Sequence, residues 1–243
     1  MAVEDSYTIS LLHFDGAAGS TIFTDESDKT WTPAGAAQVS GLQKVFGAGA
    51  GSFPSPSDYI RTGSHVDFDF GTDAFTVDFR ARLVDNLNSN CFVLFEGSSR
   101  LEIWFYQAAL NVQIGPYGDS YSWSPFADTW YHIAVTRDSS ANIRVFIGGV
   151  QIGATIADRG VDIDSSSYVQ VFGPSGNGAR SSAGWMDELR ISKGIARWTT
   201  NFTVPVLAYG DYGNSVNSVA SWNPNDTGGN MSFSTDLLTA THA

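Results

Sequence analysis

The sequence predicts an all-β protein, an antiparallel two-sheet β-sandwich of the jelly-roll kind. Apolar and polar residues alternate over many short stretches, as they do in half-buried strands. The 25 glycines and 8 prolines fall mostly between these stretches, where turns are expected. Helical spacing is nearly absent, since only Ile195–Trp198 indicates a single helical turn. Many short strands without intervening helices favour a sandwich over an α/β fold.

The predicted strands follow one another along the chain with turns between them. In Phe75–Leu83 the odd positions are apolar and the even positions are polar, so one face of this strand is expected to be buried. Gly148 and Gly149 separate two strands and predict a tight hairpin, because glycine adopts positive φ freely. The full set of predicted strands is Tyr7–Phe14, Phe75–Leu83, Leu101–Tyr106, Trp130–Arg137, Ile143–Ile147, Val150–Ala154, Tyr168–Phe172 and Gly184–Ile191.

Composition and charge exclude several classes of protein. Of 243 residues, 42% are hydrophobic, 13% aromatic and only 16% charged, which is incompatible with intrinsic disorder. Lys and Arg number 13 against 25 Asp and Glu, giving a formal net charge of −12. Such a surface repels phosphate backbones and anionic lipids, so we expect no nucleic-acid partner. Cys91 is the single cysteine, so an internal disulfide is not expected.

The chain is divided here into a jelly roll (1–207), a linker (208–217) and a C-terminal β extension (218–243). The extension is too short to bury a core, so it must pack on the main domain, pair with another chain or stay mobile. The first ten residues carry acids where a secretory signal would be basic and then apolar. No apolar run approaches the ~20 residues of a membrane span. No signal peptide and no membrane insertion are therefore expected.

Several motifs in this order resemble laminin-G-like jelly-roll domains of the concanavalin A-like lectin/glucanase superfamily. The resemblance covers residues 7–207 and rests on Leu11–Gly16, Phe68–Gly71, Trp130–Ala134, Arg144–Val150 and Met186–Ile191. Ile191–Thr199 and Phe202–Pro205 make it similar to the version common in bacteriophage structural and tail-associated proteins. The segment Ala220–Asp226 resembles the opening strands of a second sandwich module, of SPRY type.

The resemblance implies a structural Ca²⁺ site where the first and last strands of the domain meet. The matching positions are Asp15 and Asp187, and carboxylate oxygens suit this ion. Without an ion, Asp15 would cap a turn and Asp187 would pair with an arginine. Both alternatives stay open at this point.

Catalytic carboxylates of the glucanase type are not predicted. Glucanases of this superfamily place two glutamates close together on one strand face, at a separation suited to retaining hydrolysis. Glutamate occurs here only at positions 4, 26, 96, 102 and 188, and no two share a strand at alternate positions. Asp67 with Asp69, and Asp162 with Asp164, have the right spacing but border turns, where aspartate caps backbone groups.

Aromatic and amide side chains on predicted polar strand faces are candidates for a glycan site. Sugar rings stack on aromatic faces and their hydroxyls bind polar groups nearby. The candidates are Arg80, Trp104, Tyr106, Gln113, Tyr121 and Trp123. The alternatives are that these aromatics belong to the core, or that the face seats another protein.

The sequence thus predicts a non-enzymatic adhesion module on the surface of a phage particle, as a tail or capsid decoration. It would bind host or environmental glycans weakly and gain strength from many copies. Its partners would be other virion proteins or copies of itself. The first alternative is a purely structural virion protein that mediates subunit contacts, and the second is a glucanase-like glycoside hydrolase.

Overall fold

The computed structural model describes residues 5–84, 90–157, 161–164, 167–174, 183–210, 231–233 and 240–242. Seventeen strands lie in these ranges, with one short 3₁₀ turn at Val66–Phe68. The strands are β1 (Thr8–Leu12), β2 (Thr32–Ala34), β3 (Gln38–Ser40), β4 (Ala50–Phe53), β5 (Tyr59–Gly63), β6 (Phe75–Leu83), β7 (Asn90–Glu96), β8 (Leu101–Tyr106), β9 (Ala109–Ile114), β10 (Tyr117–Ser122), β11 (Trp130–Arg137), β12 (Asn142–Ile147), β13 (Val150–Ala157), β14 (Tyr168–Phe172), β15 (Gly184–Lys193), β16 (Met231–Phe233) and β17 (Ala240–His242).

Fifteen of these strands form two antiparallel sheets, which confirms the predicted sandwich. Sheet 1 has eight strands in the order β13-β12-β11-β6-β15-β4-β3, with β1 paired to β15. Sheet 2 has seven strands in the order β10-β9-β8-β7-β14-β5-β2. Neighbours such as β6 and β15 are distant in the sequence, so most of the fold depends on long-range pairing.

The core lies between the sheets and consists of the apolar residues that face inward from the strands. In β6, Phe75, Val77 and Phe79 face inward and are fully buried. Aromatic rings join the two layers: Phe53 of sheet 1 stacks on Phe172 of sheet 2 with ring centroids 4.5 Å apart. Burial of this many large apolar side chains is the main stabilising term for the sandwich.

The predicted glycine hairpin joins β12 to β13. Gly148 and Gly149 have φ values of 59° and 79°, as a two-residue turn between twisted strands requires. A Cβ on Gly149 would lie 2.1 Å from the carbonyl oxygen of Phe202. The chain therefore needs glycine here for the turn and also for the close approach of a later segment.

That later segment, residues 194–209, crosses the outer face of sheet 1 and is called the strap below. The predicted helical turn at Ile195–Trp198 is not formed. Instead, the hydroxyls of Thr76 and Thr136 donate to the carbonyls of Ile195 (3.0 Å) and Trp198 (3.1 Å). Because side chains of the sheet satisfy these carbonyls, the segment needs no helical hydrogen bonds. The Trp198 and Phe202 rings stack at 3.9 Å over the sheet.

The strap continues into the start of the predicted linker, because Tyr209 is buried against sheet 1. The rest of that linker and the SPRY-like Ala220–Asp226 lie outside the described residues. Within the C-terminal extension, β16 and β17 pair as an antiparallel hairpin. No helix in the described part of the chain is long and apolar enough to cross a membrane.

Candidate functional site

The outer face of sheet 2 carries two of the four aromatic residues that the sequence singled out, Trp104 and Tyr106. Strand β8 alternates, so Ile103 and Phe105 enter the core while Trp104 and Tyr106 point away from it. Strand β9 places Asn111 opposite Trp104. It also places Gln113 opposite Glu102 on the same face.

This face offers one exposed ring, Tyr106, beside the buried ring of Trp104. Tyr106 is 46% exposed, whereas Trp104 is only 8% exposed. Next to them the Asn111 amide is held by Ser120, whose hydroxyl donates to Asn111 Oδ1 at 2.5 Å. The Gln113 amide donates to the carbonyl of Gly115 at 2.9 Å, beside a cavity of about 450 Å³. The arrangement combines a stacking surface with oriented hydrogen-bonding groups.

Two carboxylates occupy the middle of the face, but they do not form an open pair. Arg100 Nη2 contacts Glu96 Oε1 at 2.8 Å, and Arg100 Nη1 lies 3.9 Å from Glu102 Oε2. Glu102 is fully buried. Both acids are therefore bound to one guanidinium, which makes them a structural ion network and not a pair facing a substrate groove.

The opposite end of the face holds an arginine between two tyrosines. The guanidinium carbon of Arg61 lies 3.7 Å from the ring centroid of Tyr168 and 4.8 Å from that of Tyr59. Arg61 Nη2 donates to Gln170 Oε1 at 2.5 Å. A cavity of about 360 Å³ opens here, lined by these three stacked residues and by Thr32, Thr62 and Ser167 among others.

Three of the six predicted glycan-site residues lie elsewhere. Arg80 is on β6 of sheet 1, where it donates to the carbonyl of Pro205 under the strap. Tyr121 faces the core, and burial raises the pKa of its hydroxyl to about 12. The Trp123 ring packs at the core edge against Phe105 at 5.6 Å. The grouping is corrected accordingly: only Trp104, Tyr106 and Gln113 share the outer face of sheet 2.

Asp15 and Asp187, the predicted Ca²⁺ ligands, meet at one loop spanning residues 45–49. Asp15 Oδ1 accepts from the backbone N–H of Ala48 at 2.5 Å and of Gly49 at 2.9 Å. Asp187 Oδ2 accepts from the N–H of Val45 at 2.7 Å and of Phe46 at 3.1 Å. A Cβ on Gly47 would lie 2.1 Å from Asp15 Oδ2, so this loop approaches the carboxylate closely.

One oxygen of Asp187 stands apart from these contacts. Asp187 Oδ1 is buried without a hydrogen-bond partner among the described residues. Burial raises the pKa of Asp187 to about 7, with Glu188 and Asp15 adding to it, although the two backbone donors oppose the rise. The described residues contain no cluster of three His, Cys, Asp or Glu side chains fit for a metal. Two carboxylates supply only part of the six to eight oxygen ligands of Ca²⁺, so an ion held here would need backbone and water oxygens as well.

The comparisons with known proteins agree with this architecture. A family model described as the concanavalin A-like lectin/glucanases superfamily matches residues 54–197, more than half of the chain. The chain belongs to this superfamily. No curated protein sequence matches it significantly.

Solved structures that resemble this superfamily member include binding domains of botulinum neurotoxins. One is a structure of botulinum neurotoxin type C, whose cell entry is dependent upon interaction with two ganglioside molecules (TM-score 0.59, 14% identity, 78% of this chain and 49% of that one). A second is the neurotoxin DC domain in complex with rat synaptotagmin II (0.59, 13%, 80% and 50%). A third is the DC domain in complex with SialylT (0.57, 14%, 80% and 50%). The chain spans about half the length of these structures, and the likeness is one of fold.

Sequence reasoning missed the Arg61 end of the face. Tyr59 and Arg61 are two positions apart, and so are Tyr168 and Gln170. The sequence could therefore have indicated that the members of each pair lie on the same face of their strand. Nothing local reveals that β5 and β14 are neighbours, since the paired residues Arg61 and Gln170 are 109 positions apart. The site exists only through that pairing.

Proposed function

We propose that this protein is a non-enzymatic carbohydrate-binding adhesion module, and that the outer face of sheet 2 is its binding surface. The observation that carries the proposal is the exposed Tyr106 ring beside Trp104, with the Asn111 and Gln113 amides on the same face. A sugar ring stacks its C–H face on such a ring while its hydroxyls reach the amides.

A binding role is favoured over hydrolysis by the acids of this face. Hydrolysis with retention needs two carboxyl groups facing the sugar, about 5–5.5 Å apart. Glu96 and Glu102 instead share Arg100, and Glu102 is fully buried. The resembling structures are likewise named as binding domains.

The ligands named for those structures support the same class of function. Those neurotoxins interact with ganglioside molecules, SialylT and rat synaptotagmin II, so this sandwich occurs in domains that bind glycans and proteins. We further place this module on a phage particle, as a tail or capsid decoration, on the resemblance of Ile191–Thr199 and Phe202–Pro205. Many copies on one particle would turn weak single contacts into useful avidity.

Replacing Tyr106 by alanine is expected to weaken glycan binding about tenfold. Loss of one stacking ring removes roughly 1–1.5 kcal/mol, and each 1.4 kcal/mol is a factor of ten in affinity. A glycan array displaying the wild-type protein in multivalent form would identify the ligand, and calorimetry would give the affinities. Trp104→Ala should also abolish the array signal.

Tyr7→Ala is the matched control, because Tyr7 is 44% exposed and adjoins β1 of sheet 1. If Tyr106→Ala and Trp104→Ala bind glycans as tightly as the wild type, the binding site does not lie on the outer face of sheet 2. Silence of the whole array, together with capture of another virion protein, would favour the structural alternative. Release of reducing ends from β-glucans would favour the hydrolase.

Calcium is expected to raise the melting temperature by roughly 5–10 °C if Asp15 and Asp187 hold it. An ion present at a hundred times its dissociation constant adds about 2.7 kcal/mol, and each kcal/mol moves Tm by about 2–4 °C at this size. The bound ion would supply positive charge to the buried Asp187 Oδ1. Thermal unfolding in Ca²⁺ and in EGTA measures the shift.

Asp187→Asn is the informative variant, because its amide oxygen can still accept from Val45 and Phe46. This variant should lose the calcium response while it stays folded. Identical melting of the wild type in Ca²⁺ and in EGTA would leave both carboxylates as caps of the 45–49 loop and nothing more.

A further inference from the structure

Arg61 differs from five other arginines among the described residues, each of which forms an ion pair with a carboxylate. Among the described residues its guanidinium has no carboxylate within ion-pair distance, and its buried Nε–H has no hydrogen-bond partner. A buried donor left unsatisfied is costly, and more so when it is charged. The paired arginines, by contrast, are Arg82 with Asp128, Arg100 with Glu96, Arg144 with Asp138, Arg190 with Asp78 and Arg197 with Asp5.

The guanidinium is also held rigidly. The rings of Tyr168 and Tyr59 contact it at 3.7 and 4.8 Å, so further motion of the group is restricted. Gln170 is fully buried and its Nε2 donates to the carbonyls of Phe172 and Pro174, at 2.7 and 2.9 Å. Its Oε1 must therefore face Arg61, which fixes the orientation of the fork.

Among the described residues, one of the five guanidinium N–H donors has an acceptor, Gln170. The cavity of about 360 Å³ beside Arg61 also carries the hydroxyl-bearing residues Thr32, Thr62 and Ser167. A fixed fork with unused donors matches the planar, bidentate geometry of a carboxylate. The hydroxyls of the exposed Thr32 and Ser167 could donate the neutral hydrogen bonds that the rest of a sugar needs, whereas Thr62 is buried on the side of Ile60.

We infer that this cavity is a subsite for the carboxylate of an acidic sugar, either a sialic or a uronic acid. The inference deepens the proposed function and rests on it. A quaternary ammonium ligand is disfavoured because the space between the tyrosines is filled by Arg61 itself. A phosphate dianion is disfavoured because Arg61 is the one cation among the described residues that line the cavity, and the whole chain carries −12.

The test compares three sugars of known charge by NMR titration of the full chain: 3′-sialyllactose, lactose and glucuronic acid. Wild type should bind sialyllactose or glucuronic acid at least tenfold more tightly than lactose. Arg61→Gln should remove that preference and leave the affinity for lactose unchanged. Arg61→Lys should recover less than half of the preference in free-energy terms, because an ammonium keeps the charge but lacks the fork.

Arg82→Gln is the matched control, since Arg82 also stacks on an aromatic ring, Trp185 at 4.7 Å, but lies on sheet 1. It removes the same charge from the protein and should keep the acidic preference. Circular dichroism confirms that each variant is folded. Comparison of 3′-sialyllactose with glucuronic acid shows whether the subsite prefers the carboxylate of a sialic acid or that of a uronic acid.

The outcomes distinguish this inference from the proposed function. Binding of lactose as tight as that of both acids, or an acidic preference that survives Arg61→Gln, overturns the subsite while carbohydrate binding stands. If Arg82→Gln loses the preference for acidic sugars as completely as Arg61→Gln does, the preference comes from the overall charge of the protein. That result also overturns the subsite. Absence of binding for all three sugars, with a silent glycan array, overturns both.

Discussion

Replacing Asp78 by alanine is expected to lower the free energy of unfolding by about 3–5 kcal/mol. Asp78 is fully buried on the outer side of sheet 1, below the strap. Its carboxylate contacts Arg190 at 3.1 and 3.2 Å and accepts a hydrogen bond from the Tyr209 hydroxyl. Removing the acid takes away a counter-charge of the buried Arg190 guanidinium and the acceptor of the Tyr209 hydroxyl at the end of the strap.

The same ion pair predicts a pH dependence. Burial alone raises the pKa of Asp78, but the charge of Arg190, with help from His132, outweighs it and lowers the pKa to about 2. The unfolded chain has an aspartate pKa of about 3.9. The stabilisation is therefore complete above pH 4 and is lost as the pH falls towards 2, by about 2–3 kcal/mol. Asp78→Ala should lack this part of the acid transition.

Urea unfolding at pH 7 and at pH 3 measures both effects. Asp67→Ala is the control, because Asp67 pairs with Lys29 at 2.7 Å in a partly exposed position. A pair of that kind contributes about 0–1 kcal/mol. Equal losses for the two variants would mean that the buried pair is no more important than a surface one.

Individual strands were predictable because their periodicity is local. The bounds predicted for Phe75–Leu83, Leu101–Tyr106, Trp130–Arg137 and Tyr168–Phe172 are those of β6, β8, β11 and β14. In β6, β8 and β11 the core takes every second residue, so the sequence itself carries the signal. In β14 the core takes Val169 and Val171 and also the adjacent Phe172, whose φ is positive. The failed helix at Ile195–Trp198 had no such repeat, and its backbone is held by distant threonines.

The candidate site was only half predictable for the same reason. Alternation tells which residues of one strand share a face, and it placed Trp104 and Tyr106 together correctly. It does not tell which sheet a strand joins, so Arg80 was grouped with them although β6 lies in sheet 1. The pairing of β14 with β5 and β7, which creates the Arg61 subsite, is a tertiary property.

Phe172→Ala is expected to cost about 3–5 kcal/mol of the free energy of unfolding, as large cavities in aromatic cores do. Phe172 is fully buried, stacks on Phe53 at 4.5 Å and meets the edge of Phe92 at 6.2 Å. It also has a φ of 59°, a conformation that costs an L-residue about 1–2 kcal/mol and glycine almost nothing. Phe172→Gly should therefore be more stable than Phe172→Ala by about 1 kcal/mol.

Phe95 supplies the comparison, because it is equally buried in β7 but lies outside the left-handed region. There the order should reverse, since glycine in a strand interior is less stable than alanine by about 0.5–1 kcal/mol. Urea unfolding midpoints of the alanine and glycine variants at Phe172 and Phe95 test the order of stability at each position. The same order at both positions would show that the backbone relaxes once the ring is gone, and that packing of Phe172 between Phe53 and Phe92 is what holds φ positive.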